Sequence, residues 1–196
     1  MAEHYFTAAP TSAHHEQAFT LSFAGKTLRF VTDAGVFSRE HVDPGSLALC
    51  RALPEGLSGR VLDMGCGWGA MTVLTLARFP SLAMTMADVN ERALDLARAN
   101  VAANGMQAEA ILSDGFTAID GSFDAVMTNP PIRAGKQVVY GIFEGAAARL
   151  FPGGALYAVV RKQQGAPSAL KFLREVFQSA EVIDRSGGYW VLEAKI

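Results

Sequence analysis

From Arg60 onward, short apolar runs suited to strands alternate with longer segments of helical spacing, and this alternation leaves the chain few folds to choose from. The runs at 60–64, 82–87, 108–112, 123–128 and 155–161 read as strands. Between the second and third, Glu91 to Asn104 places Leu94, Ala97 and Val101 on one helical face, with Asn90 as a candidate cap and Gly105 just past the end. Strands that alternate with helices pair in parallel, and the helices cover both faces of the sheet. Two last strand runs, 180–184 and 189–195, flank Arg185-Ser186-Gly187-Gly188, a plausible hairpin turn. The expected fold class is α/β: a seven-stranded, mostly parallel sheet with a C-terminal antiparallel hairpin and helices on both faces.

Ahead of this series, Phe19 to Phe23 and Thr27 to Val31 flank Ala24-Gly25-Lys26 and read as a short N-terminal β-hairpin. Asp43-Pro44 then supplies a helix cap followed by proline at the first helical position, opening a helix through about Leu53. The first 17 residues look less ordered than the rest. A chain of 196 residues suits one domain, divided here into a substrate-side extension at 1–55 and a cofactor-binding core at 56–196. Half the residues are hydrophobic and 18% are charged, which supports a packed core and argues against disorder.

The longest apolar stretches, such as 71–77, fall far short of the roughly 20 residues that a membrane span needs. The polar N-terminus lacks the basic start and apolar core of a signal peptide, so a cytoplasmic location is expected. A net charge of −2 excludes a nucleic-acid partner held by bulk electrostatics; any such partner must be gripped locally. Cys50 and Cys66 are too few for a disulfide scaffold and read as reduced thiols. His4, His14, His15 and His41 lack metal-ligand spacing, and no metal is expected.

The first core strand runs into Asp63-Met64-Gly65-Cys66-Gly67-Trp68-Gly69-Ala70, which fits a dinucleotide glycine pattern and a DxGxG pattern equally. Asp63 separates the two readings. A carboxylate two residues before the first glycine repels a pyrophosphate but suits a ligand carrying an ammonium and a sulfonium. NAD, the competing ligand, gives Asp63 no purpose. Asp88 ends the second strand, where an acid can accept from ribose hydroxyls, and Asp114 follows the third, where it can accept from an adenine amino group. Caps and turns use single acids in the same way, but three at successive strand ends, in register with the glycines, favour one adenosine-containing ligand.

The fourth strand ends in Asn129-Pro130-Pro131-Ile132. An amide is no general base, but the Asn129 side-chain oxygen and the Pro130 carbonyl can both accept from one planar amino group. Those bonds favour pyramidalisation and aim the nitrogen lone pair, so catalysis would rest on orientation and electrostatics. Pro130 and Pro131 stiffen the loop that carries the acceptors.

Together, DMGCGWG, DVNERAL, SDGF and NPPIRAGK resemble the small-domain, Rossmann-like S-adenosylmethionine methyltransferases acting on amino groups. Among these the chain is most similar to the ribosomal RNA small-subunit guanine-N2 methyltransferases, with HYFTAAPTS, TDAGVFSREHVDPGS at 32–46 and RKQQGAPSAL at 161–170 extending the likeness. The resemblance implies S-adenosyl-L-methionine held by Asp63, Gly65, Gly67, Asp88 and Asp114, with Asn129 beside it. It also implies that Asn129, Pro130 and Pro131 receive the target amine, and that Gly35-Val36-Phe37-Ser38 sits over the reaction site. The implied partner is ribosomal RNA or the small ribosomal subunit.

Two departures are visible. Many family members acting on this guanine carry a degenerate methyltransferase-like domain ahead of the catalytic one, whereas the likeness here covers the catalytic domain; a homodimer could take over its RNA-docking role. Many such loops also follow the prolines with an aromatic residue that stacks on the target base, where this chain has Ile132, so Phe37 is the candidate platform. Arg133 and Lys136 follow the reactive loop, Arg161 and Lys162 follow the next strand, and Arg39 is a further candidate for gripping RNA phosphates. Methylation of another planar nitrogen, in a glutamine amide of a translation factor or in adenine, is the alternative activity. A non-catalytic cofactor-binding RNA module is the alternative class, but it would have no use for paired amine acceptors.

Overall fold

The computed structural model of the chain describes residues 16–33, 38 and 41–196. The expected positions Gly35, Val36, Phe37 and Arg39 lie outside the described residues. β1 (Gln17–Phe23) and β2 (Lys26–Thr32) pair antiparallel with Phe23 opposite Lys26. That register leaves Ala24 and Gly25 as the two turn residues, both at positive φ (50° and 72°), which matches the twist of a tight hairpin. Lys26 thus belongs to the second strand and not to the turn.

The hairpin is fastened to the core through α3 (Glu91–Ala103). Asn100 accepts from the Val31 N–H at 2.7 Å and donates to the Val31 carbonyl at 2.8 Å. Asn104, just past the helix, repeats the pattern on Arg29 at 2.9 and 2.7 Å. Two side-chain amides thereby satisfy the outer edge of β2 as a third strand would. Phe19 and Phe30 add edge-on contacts with Trp68 of the glycine loop, at centroid distances of 6.0 and 5.3 Å.

The main sheet comprises β3 (Arg60–Met64), β4 (Ala83–Asp88), β5 (Glu109–Leu112), β6 (Phe123–Thr128), β7 (Leu150–Arg161), β8 (Ser179–Ser186) and β9 (Tyr189–Lys195). The spatial order is β5-β4-β3-β6-β7-β9-β8, with β9 antiparallel to both its neighbours and the other pairings parallel. One face carries α1 (Pro44–Ala52), α2 (Ala70–Arg78) and α3, and the other carries α4 (Lys136–Arg149) and α5 (Ala166–Val176). Strand residues divide between the two cores by alternation: Val61, Ala125 and Met127 join the first, Leu62, Met64 and Val126 the second. This is the seven-stranded α/β sheet with a terminal antiparallel hairpin that the sequence leads one to expect.

β7 begins at Leu150, not at residue 155. Leu150 pairs with Phe123, then the register shifts so that Ala125 faces Ala155. The stretch in between holds Pro152, Gly153 and Gly154, residue types that mask a strand in the sequence but are tolerated at an irregularity. Among the described residues no helix is long and apolar enough to cross a membrane. Both cysteines are buried free thiols.

β3 lies between β4 on one side and β6 on the other. At such a switch point the connections diverge to opposite faces, leaving a crevice at the carboxyl ends of the strands.

Candidate active site

A cavity of about 900 Å³ occupies that crevice, large enough for a nucleoside-sized cofactor together with a base. Its floor is the glycine loop between β3 and α2. Gly65 and Cys66 both donate backbone N–H bonds to the Ala87 carbonyl, at 2.8 and 3.0 Å. Gly67, at φ 54°, turns its N–H onto Asp88 Oδ2 at 2.8 Å, a left-handed conformation that favours glycine. Asp88 Oδ1 accepts from Asn90 N at 2.9 Å, so the carboxylate is held from both sides and keeps lone pairs for a ligand on the cavity wall. Burial raises its pKa, opposed by these backbone N–H bonds.

Asp114 is exposed at the far rim, and no described residue bonds its carboxylate. The turn beneath it is stiffened by Ser113, whose hydroxyl donates to the Gly115 carbonyl at 2.7 Å and accepts from Ala118 N at 3.1 Å. Phe116 lines the same end of the cavity and lies against Gly145 of α4, where an added Cβ would clash with its ring. A glycine inside a helix is the sequence signal for such a close approach, although the sequence does not say what approaches.

Asp63 sits behind the cavity wall, not on it. Its side chain points to the α2 face, fully buried, with Oδ2 accepting from the Thr72 hydroxyl at 2.7 Å and Oδ1 without a partner among the described residues. Burial pushes its pKa up to about 7, against the lowering pull of the Thr72 bond. An orphaned acceptor directly under the glycine loop fits a cationic ligand above it, reached through the loop or through a water.

At the opposite end, Asn129 directly follows β6, with its amide facing α1. Its Nδ2 donates to Asp43 Oδ2 and to Ser46 Oγ, each at 3.0 Å, using both amide hydrogens. The carboxylate can only accept, so the amide nitrogen must face Asp43 and the carbonyl Oδ1 is left for the cavity. No described residue bonds Oδ1 or the Pro130 carbonyl. Pro130 and Pro131 line the cavity beside Asn129. The arrangement offers two fixed acceptors to a donor-rich planar group entering from solvent.

Ile132 is half-buried against the second core and does not itself line the cavity. Ile132 opens a 3-10 turn, Ile132–Ala134, and Val138 of α4, 44% exposed, lines the cavity. Arg133 and Lys136 are exposed just beyond β6, and Arg161 and Lys162 just beyond its neighbour β7, so all four stand at the strand ends that open the cavity. Arg161 is partly committed, its guanidinium lying 4.9 Å from the Tyr189 ring centroid. Among the described residues no group of three or more His, Cys, Asp or Glu could hold a metal ion. Sequence reasoning missed Asp43 beyond its cap role, together with Ser46, Tyr189 and Phe116.

Known proteins resemble the chain in sequence and in fold. YbxB, an uncharacterized protein of Bacillus subtilis, is 39% identical over 199 residues, covering 100% of this chain and 99% of its own. Ribosomal RNA small subunit methyltransferase C of Serratia proteamaculans is 35% identical over 173 residues, 86% of this chain and 49% of its own, so the chain spans about half the length of that relative. The solved T. thermophilus 16S rRNA N2 G1207 methyltransferase, in complex with AdoMet and guanosine, superposes with a TM-score of 0.84 at 30% identity over 95% of this chain and 52% of that one. The model of the methyltransferase small domain matches residues 27–193. The chain belongs to the methyltransferase small-domain family.

Proposed function

We propose that this protein is a cytoplasmic S-adenosylmethionine-dependent methyltransferase that modifies the exocyclic N2 of a guanine in small-subunit ribosomal RNA. The observation that carries the reading is the Asn129 amide, whose two N–H groups are consumed inside the protein while its oxygen faces a cavity floored by the glycine loop. Support comes from the likeness to a guanine-N2 enzyme that binds AdoMet and guanosine in the equivalent fold. S-adenosylmethionine supplies a methyl group made electrophilic by its sulfonium. Asp88 and Asp114 hold its adenosine end, and the ionised Asp63 stabilises its positive charge from below the loop. Asn129 Oδ1 and the Pro130 carbonyl accept the two N–H bonds of the guanine amino group, which turns the nitrogen lone pair toward the methyl and stabilises the charge that develops there.

A guanine N2 inside a duplex is stacked and beyond reach, so the substrate nucleotide must be exposed or flipped. Arg133, Lys136 and Lys162 at the mouth hold the flanking phosphates, with Arg161 contributing from its seat on Tyr189. So few contacts give a shallow salt dependence. To test the reading, the protein is incubated separately with small subunits, free ribosomal RNA and a release factor in the presence of radiolabelled cofactor, and the labelled product is digested. Label in N2-methylguanosine from the small subunit or its RNA is expected. Label confined to the protein factor or to adenine would move the activity to another planar nitrogen.

A further inference from the structure

We infer that Asp43 is a positioning residue for methyl transfer: it fixes the direction of the Asn129 amide, and thereby which atom of that amide meets the acceptor amine. The inference rests on the proposed amine methylation.

Asn129 has two nearly isosteric orientations that differ by exchanging oxygen and nitrogen. Presented oxygen-first, the amide accepts an N–H from the substrate; presented nitrogen-first, it sets donor against donor and repels the same group. The choice between them is therefore a choice between an active and an inactive site. Three contacts on one carboxylate decide it. Asp43 Oδ2 accepts from Ser46 N at 3.0 Å, which caps α1, and from Asn129 Nδ2 at 3.0 Å, while Oδ1 accepts from the Tyr189 hydroxyl at 3.4 Å. The carboxylate is thus tied to its own helix, to β6 and to β9, across sequence separations of 86 and 146 residues. Ser46 Oγ takes the second hydrogen of the Asn129 amide, and both side chains line the cavity.

The packing around this carboxylate leaves little slack. Gly45 follows Pro44 with no room for a side chain: an added Cβ would lie 2.7 Å from the Tyr189 ring and 2.8 Å from Asp43 Oδ2. The Arg161 guanidinium lies over the same ring, 4.9 Å from its centroid. A helix cap needs none of this, since serine caps as well as aspartate does and requires neither a tyrosine from the last strand nor a glycine beneath it. The fixed negative charge also lies one hydrogen bond behind Asn129, where it polarises the amide and strengthens its oxygen as an acceptor.

Two substitutions separate positioning from capping. In Asp43→Ser the shorter side chain still caps α1 but no longer reaches Asn129, whereas in Asp43→Asn an amide oxygen can occupy the Oδ2 position and receive both bonds. Single-turnover rates on saturating RNA and cofactor should fall about tenfold or more for Asp43→Ser, with melting temperature and cofactor affinity close to native, and should recover to within about fivefold of native for Asp43→Asn. Native rates in Asp43→Ser, or equal losses in the two variants, would overturn the inference. A second readout does not depend on knowing the acceptor. The Asn129 side-chain amide resonances, assigned by their disappearance in Asn129→Ala, should be shifted and protected from exchange in the native protein and in Asp43→Asn, and should move toward free-amide values in Asp43→Ser. Resonances unchanged in Asp43→Ser would refute the role of Asp43 even if the native protein left the ribosomal RNA unlabelled.

Discussion

The two ends of the cavity are built by different means. At the cofactor end, the glycine loop, Asp88 and Asp114 lie at the ends of β3, β4 and β5; backbone N–H groups hold the loop and the Asp88 carboxylate, and the neighbouring Ser113 hydroxyl stiffens the turn that carries Asp114. At the acceptor end, Asn129 depends on Asp43 and Ser46 of α1, and through Asp43 on Tyr189 of β9. Local turns can fix a site that binds a rigid, recurring ligand. Aiming one amide oxygen at a variable acceptor takes side chains from three distant parts of the chain. A lesion at one end should therefore leave the function of the other largely intact.

The largest separation is expected for Asn129→Ala. Single-turnover rates should drop on the order of a hundredfold or more while calorimetric cofactor affinity stays near native, because the lost bonds are strongest in the transition state. A variant with normal turnover would show that other groups orient the amine. The converse lesion is Asp88→Ala, which should cost about 1–3 kcal/mol of affinity for cofactor and its demethylated product, since a ribose hydroxyl pair and the Gly67 N–H lose their acceptor. Equal affinity, or binding of NAD instead, would break the assignment of that end.

A smaller effect sharpens the role of Asp63. With its pKa raised to about 7 by burial, the free protein keeps the proton below that pH, while a cationic ligand favours the carboxylate. Binding must then expel the proton at low pH, so cofactor affinity should rise up to about tenfold between about pH 6 and about pH 8. Calorimetry over that range should show the rise in the native protein and a flat profile in Asp63→Asn. The smallest effect is at Gly145→Ala. Alanine favours the helix by about 0.5–1 kcal/mol, but displacing Phe116 should cost about 1–3 kcal/mol, so cofactor affinity and melting temperature should both fall while the rate at saturating cofactor holds. Unchanged cofactor affinity would remove Phe116 from the cofactor end.

The same contrast explains what was legible in the sequence. β3 to β6 and their helices were readable because periodicity, caps and glycines are local signals, and the same signals put Asp88, Asp114 and Asn129 at or just past strand ends. Asp63 was legible as an acid before the loop, but strand alternation turns its side chain beneath the cavity wall. The 3-10 turn that holds Ile132 left no periodic mark in its three residues. Asp43 looked like an ordinary cap, and its bond to Asn129 spans 86 positions that only the folded sheet brings together. Tyr189 carried no signal beyond a strand start.

In the proposed activity, the Asn129 end of the cavity receives a guanine amino group of small-subunit ribosomal RNA. Mass analysis of nucleosides from that RNA, in cells carrying the native protein, the Asn129→Ala variant or neither, tests it most directly. N2-methylguanosine is expected at full occupancy at one site with the native protein, and is expected to be lost both in the deletion and in the variant. Undiminished N2-methylguanosine in the deletion, or a missing methyl group on adenine or on a protein amide instead, would contradict it.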